Sequence, residues 1–293
     1  MTLVLTVLQI SAPVFLLAGI GFAWVRLGYD YDTAFVTRLA MTLAVPCLVF
    51  TALAGATMDP AAAGRLGLAA FVAYGVALLV FGAGVAALGL DRRTWLAPLA
   101  FGNTGNLGLP LALFAFGETG LGYAIVVFAA TAILSFTVGL WLVAGGGNPV
   151  RALREPMVPA TVLGAVFLWR GWPVPQVVSD ALGLIGQMAI PLMLITLGVA
   201  VARLSVGRLG PVVALAGAKV AGCAALGWAI GRAFGLDGVP LAILTVQMAT
   251  PAAVTSYLLA EKYGADARAV AGLVVVSTVL SIGYLPALLA IFV

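Results

Sequence analysis

The chain has no histidine. That single absence removes imidazole metal ligands, serine–histidine nucleophilic catalysis and the commonest proton shuttle. Cysteine is nearly absent too. Cys47 and Cys223 each sit in an apolar run, so they form neither a disulfide framework nor a metal site and read as small packing residues. Charge is scarce: 8% of the residues are Asp, Glu, Lys or Arg, where soluble domains carry roughly 25%. No acidic residue falls in the middle of an apolar run; Asp59, Glu118 and Glu261 lie near run ends. The usual membrane proton relay is therefore missing, as is a carboxylate pair for acid–base catalysis. No metal, no cofactor and no enzymatic activity are expected. The net charge of +4 does not point to nucleic acid, because the basic residues sit between apolar segments.

What the chain has instead is apolar surface. Hydrophobic residues make up 63% of its 293 positions, which places it in the lipid bilayer as an all-α polytopic membrane protein. Ten apolar runs are long enough or nearly long enough to span: about 4–25, 34–56, 66–89, 95–116, 121–143, 156–171, 181–202, 209–233, 239–260 and 268–292. The first has no leading Lys or Arg, so it is read as a membrane helix and not as a cleaved signal. Ten spans place both termini on one side. The odd-numbered connections hold Arg26, Arg38, Arg92, Arg93, Arg151, Arg154, Arg203, Arg208, Lys262 and Arg268; the even ones hold only Arg65, Arg170 and Arg232. The basic side is expected to be cytoplasmic, with both termini outside. Glu261, Lys262, Asp266 and Arg268 read as a solvated loop.

The two halves of the chain resemble each other. Pro46 and Thr51 match Pro191 and Thr196 at an offset of 145, Phe116-Gly117 matches Tyr263-Gly264, and Thr131 to Ser135 matches Ser277, Thr278 and Ser281. The predicted organisation is two five-helix repeats, 1–146 and 147–293. Five is odd, so the second repeat enters the membrane inverted, which suits alternating access.

Each repeat carries one interrupted run. In the fourth span the chain reads Gly102-Asn103-Thr104-Gly105-Asn106-Leu107-Gly108-Leu109-Pro110; in the ninth, Gln247 is followed by Thr250-Pro251 and by Thr255-Ser256-Tyr257. Backbone groups freed inside lipid cost several kcal/mol each (order of magnitude) unless protein or ligand meets them. A pair of such breaks in corresponding positions marks a transporter's substrate site. Glycines allow close approach, and Asn103 and Asn106 supply donors and acceptors. Pro110 predicts that a helix begins anew there, presenting free N–H groups and a positive dipole end to an anion. The alternative is a pair of proline kinks with Ser and Thr bonded back to the chain. It is weak for 102–110 and evenly balanced for 247–257. Pro46 and Pro191 read as kinks that shape a cavity, with Thr51 and Thr196 as second-rank candidates beside Ser277 and Thr278. Lys219 is the one basic residue deep inside a span; it either serves the site, by pairing with a substrate carboxylate or holding backbone carbonyls, or snorkels to the cytoplasmic surface.

The stretch Asn103 to Pro110 resembles the helix-four crossover of the auxin efflux carrier family. Pro251 to Gly264, followed by Ser277-Thr278 and Pro286, resembles that family's helix-nine and helix-ten signature. The resemblance implies broken, crossing helices 4 and 9. It implies a scaffold of helices 1, 2, 6 and 7 and an elevator-type transport domain of helices 3–5 and 8–10. It also implies a homodimer and organic anion substrates: indole-3-acetate in plant members, malonate- or malate-like dicarboxylates in bacterial ones. The short connection 145–154 departs from the long cytoplasmic loop of the plant exporters. High Arg and Ala with low Lys points to a bacterial inner membrane. The alternative is a sodium-coupled organic anion symporter of the bile-acid type, since sodium needs only hydroxyls and carbonyls.

Overall fold

A computed structural model describes residues 3–55, 59–145, 156–203 and 209–292. Arg151, Arg154 and Arg208 lie outside the described residues, as does most of the connection 145–154. Regular structure among the described residues is helical, in eleven runs. They are α1 (Leu3–Arg26), α2 (Thr33–Ala54), α3 (Pro60–Ala87), α4 (Arg92–Ala100), α5 (Thr104–Ala144), α6 (Met157–Arg170), α7 (Gln176–Arg203), α8 (Leu209–Ala233), α9 (Gly238–Ala249), α10 (Val254–Tyr263) and α11 (Ala267–Leu289). Six runs are long and apolar enough to cross a membrane: α2, α3, α5, α7, α8 and α11. The breaks leave α4, α9 and α10 short, and α6 has only 14 residues.

Four of the ten acidic residues serve as helix caps. Asp32, Asp59, Asp91 and Asp266 each accept from a backbone N–H of the first turn of α2, α3, α4 and α11. Asp266, expected in a solvated loop, is thus the N-cap of α11. Asp91 also accepts from the Thr94 hydroxyl at 2.6 Å, which holds its carboxyl below the usual range.

Similar turns recur in both halves. At Gly28 and Gly171, and again at Gly89 and Gly235, a left-handed glycine ends a helix and the next N–H reaches back five residues. Gly89-Leu90-Asp91 and Gly235-Leu236-Asp237 are identical tripeptides at an offset of 146. Gly117 (φ 63°) divides α5 into two arms, as Gly264 (φ 70°) separates α10 from α11, at an offset of 147.

Packing follows small residues. α1 lies along the C-terminal half of α7, where a methyl added at Gly21 would strike the Ile195 carbonyl and one at Gly198 would strike the Ala18 carbonyl. α2 packs on α6, with Phe50 edge-on to Phe167, and on the start of α7. α3 packs on α4, α5 and α8, and α8 packs on α9 and α11. Arg203 donates to Thr33 and to the Tyr31 carbonyl, tying α7 to the start of α2. Arg93 donates to the Val143 and Tyr263 carbonyls, tying α4 to the ends of α5 and α10.

Candidate functional site

The two interruptions meet. Gly102 and Ala252 pair as an isolated antiparallel bridge, and the Asn103 N–H donates to the Pro251 carbonyl at 2.7 Å. Gly102 is required by this approach, because a Cβ there would collide with the Thr250 side chain and carbonyl. Each chain thus satisfies part of the other's freed backbone.

The first interruption satisfies the rest from its own sequence. Asn103 is the N-cap of α5: its side-chain oxygen accepts from the Asn106 N–H at 3.3 Å, and its carbonyl accepts from Leu107 and Gly108. The opening turn, Thr104–Gly108, is π-helical, and α-helical geometry resumes at Leu109. The helix therefore restarts at Thr104 and not at Pro110, because the Asn103 cap initiates it earlier. Pro110 follows at the π-to-α junction, in the first turn of the α-helical part.

The second interruption is satisfied from outside. The Ala249 carbonyl accepts from the Tyr284 hydroxyl at 2.8 Å, the Thr250 carbonyl from Lys219 Nζ at 2.9 Å, and the Ala252 N–H donates to Ser277 Oγ at 3.0 Å. Lys219 does not snorkel; it is 0% exposed. Thr250 turns its hydroxyl back to the Gln247 carbonyl, as the kink reading expects. α10 then starts at Val254 with no side-chain cap.

A cavity of about 90 Å³ lies against both restarts. Asn103, Thr104, Gly105, Asn106 and Thr255 line it, together with Ala253 and Val254. The other wall is Thr37 and Met41 of α2 and Phe128, Thr131, Ala132 and Ser135 of α5. The first-turn N–H groups of Thr104 and Gly105 have no acceptor among the described residues, as expected at a helix start. The N-termini of α5 and α10 thus converge on one small space of mixed lining, which their dipoles make favourable to an anion. The Asn103 amide nitrogen is buried and without a partner.

The remaining sequence candidates are placed elsewhere. Gln247 is fully buried with both amide atoms unpartnered, and it packs against Gly108 beside Pro110, away from the lining. Ser256 is buried and Tyr257 half-buried, outside the lining. Thr51 and Pro191 border a larger cavity of about 440 Å³ between α2, α5 and α7, with Glu118 and Gln187 at its edge. Thr51 bonds back to the Cys47 carbonyl, and Pro46 lies just after the π turn Ala40–Ala44 within α2. Thr196 bonds to the Tyr31 hydroxyl at 2.7 Å. Thr278 faces an apolar cavity between α1, α7 and α11. Thr37, Met41 and Phe128 carried no sequence signal, since they stand in apolar runs; Thr131 and Ser135 entered only through the repeat.

Long apolar helices define an integral membrane protein, and its two interruptions pair through their backbones. Sequence comparison sharpens the class. The chain belongs to the membrane transport protein family, the PIN-like auxin efflux carrier family, whose model matches residues 6–152 and 147–289. It is 26% identical over 274 residues to an uncharacterized transporter of Methanothermobacter thermautotrophicus, covering 88% of each chain. It is also 26% identical over 195 residues, 62% of each chain, to the uncharacterized transporter MJ1031 of Methanocaldococcus jannaschii.

Proposed function

We propose that the chain is a secondary carrier of small organic anions, mono- or dicarboxylates, and that Asn103, Thr104, Gly105, Asn106 and Thr255 seat the carboxylate. The observation that carries this is the convergence of two helix N-termini and a spare Asn103 amide on one cavity. A carboxylate there meets fixed donors without bringing a counter-ion, and charge-assisted bonds of this kind are about twice as strong as neutral ones.

The carrier is read as ten spans in two inverted five-helix repeats. The paired glycine turns at 28/171, 89/235 and 117/264 support this, as does the turn at Gly117 that divides α5. Alternating access is read as elevator-type, with α1, α2, α6 and α7 as scaffold and the rest as the moving unit. The preference of α1 and α2 for α6 and α7, and the separate Arg203 and Arg93 ties, support that partition. A homodimer in a bacterial inner membrane, with both termini outside, completes the proposal. Uptake of labelled malonate, malate or indole-3-acetate into proteoliposomes tests it. Saturable uptake of at least one, lost in the Asn103→Ala, Asn106→Ala double variant, is expected. No uptake of any carboxylate would sink the substrate class.

A further inference from the structure

The cavity at the crossing is small, and its lining is divided. Its volume of about 90 Å³ is roughly the liquid volume of three water molecules, room for a carboxylate and about two further carbons. Donors stand on one side: the first turns of α5 and α10 and the spare Asn103 amide. The opposite wall carries Met41, Phe128 and Ala132, and the Thr131 hydroxyl there is turned back to the Val127 carbonyl at 2.8 Å. Among the described residues no charged side chain lines the space. A ligand seated by its carboxylate therefore points its remainder at this wall.

Unusual backbone shapes the space. Among the described residues the π turns are Ala40–Ala44, Thr104–Gly108 and Ser135–Gly139, and each contributes to the lining: through Met41, through Thr104 to Asn106, and through Ser135. Such turns are rare and frequently mark functional sites. Phe128 is the bulkiest side chain they surround. It is buried, and its ring lies against Gly105, where an added Cβ would sit 3.0 Å from Cε2. Gly105 offers one of the free first-turn N–H groups, so the ring closes the space directly beside a donor. The absence of a side chain at Gly105 lets the ring come that close. We infer that Phe128 is the size determinant of this site. With the ring in place the cavity takes carboxylates of about two to four carbons, and without it an aromatic acid is admitted. Larger acids are rejected by a clash with a packed ring, not by any missing attraction. The inference deepens the carboxylate reading of the same cavity and rests on it.

Equilibrium binding of labelled propionate, malonate, phenylacetate and indole-3-acetate to the purified full-length chain tests it. Wild type is expected to bind propionate or malonate at least about 10-fold more tightly than either aromatic acid. In Phe128→Ala the aromatic acids are expected to gain about 10-fold or more relative to the short ones, because the ring's space becomes theirs. Phe128→Leu keeps an apolar core residue and is expected to shift the ratio less, in the same direction; it decides the matter if Phe128→Ala does not fold. A side chain that serves packing alone would weaken all four acids together and leave their ratio unchanged, and that result overturns the inference. Wild-type binding of the aromatic acids as tight as that of the short ones also overturns it, while leaving the carboxylate seat standing. Wild type that binds none of the four overturns the carboxylate reading and the size determinant with it.

Discussion

The interruption at 101–108 and the one at 250–253 solve one problem in opposite ways. Both free backbone groups within an apolar environment. The first meets them locally, through the Asn103 cap and a π turn that uses the Asn103 carbonyl twice. The second has no cap of its own and borrows Lys219, Ser277 and Tyr284 from α8 and α11. A self-capped break is written in nine consecutive residues. A borrowed one is written across the fold, and its positions look like ordinary helix residues until the helices are packed. The difference also assigns roles: the self-capped break is free to offer donors to a ligand, while the borrowed one is held rigid by its neighbours.

Variants can break or sharpen this contrast. The largest effect is expected at the contact both interruptions share. Gly102→Ala drives a methyl into Thr250, and its backbone cannot yield, so a loss of about 3 kcal/mol or more, or failure to obtain monodisperse protein, is expected by thermal unfolding. Gly108→Ala meets the Gln247 amide, a side chain with some freedom. It should cost about 1–3 kcal/mol, and a second change, Gln247→Ala, should recover part of that in a double-mutant cycle. Ser277→Ala leaves the Ala252 N–H buried and unpaired, for about 1–3 kcal/mol. Such sensitivity to a residue 25 positions away is expected only for the second interruption. Wild-type stability after Ser277→Ala would undo the contrast.

The smallest effect compares the two halves. Asp91 caps α4, whereas the equivalent Asp237 makes no side-chain cap and pairs with Arg232. Asp91→Ala should cost about 1 kcal/mol and Asp237→Ala less than about half of that. The Thr94 hydroxyl lowers the Asp91 carboxyl, so its contribution is fully present above the unfolded carboxylate pKa of about 3.9 and fades as pH falls through the lowered folded value. Acid unfolding of Asp91→Ala should show a weaker pH slope than wild type below about pH 4.

How much of this was legible in the sequence follows the same contrast. The first interruption was readable residue by residue, and Asn103 to Asn106 do line a cavity. Its helix start was placed six residues late, because a proline is a louder signal than an asparagine cap. The second was readable as a break, and of its sequence candidates Thr255 lines the cavity. Ala253-Val254 carries no capping residue, so the α10 N-terminus at the cavity went unnoticed, and Ser277 drew interest only through the repeat and the family signature. Lys219 was singled out by its charge, but its partner lies 31 residues on. The repeat was read from Pro and Thr matches, while the stronger match, Gly-Leu-Asp at 89 and 235, was lost among the 36 glycines until the turns were seen.

The central claim is that the self-capped interruption seats a carboxylate. Equilibrium binding of labelled malonate, malate and indole-3-acetate to the purified chain tests it most directly, with wild type, Asn103→Ala and Ser277→Ala side by side at a temperature where all three are folded. Saturable binding of at least one anion is predicted, about 10-fold or more weaker in Asn103→Ala and within about 3-fold of wild type in Ser277→Ala. Binding that is unchanged in Asn103→Ala, or absent for all three anions in wild type, would contradict it.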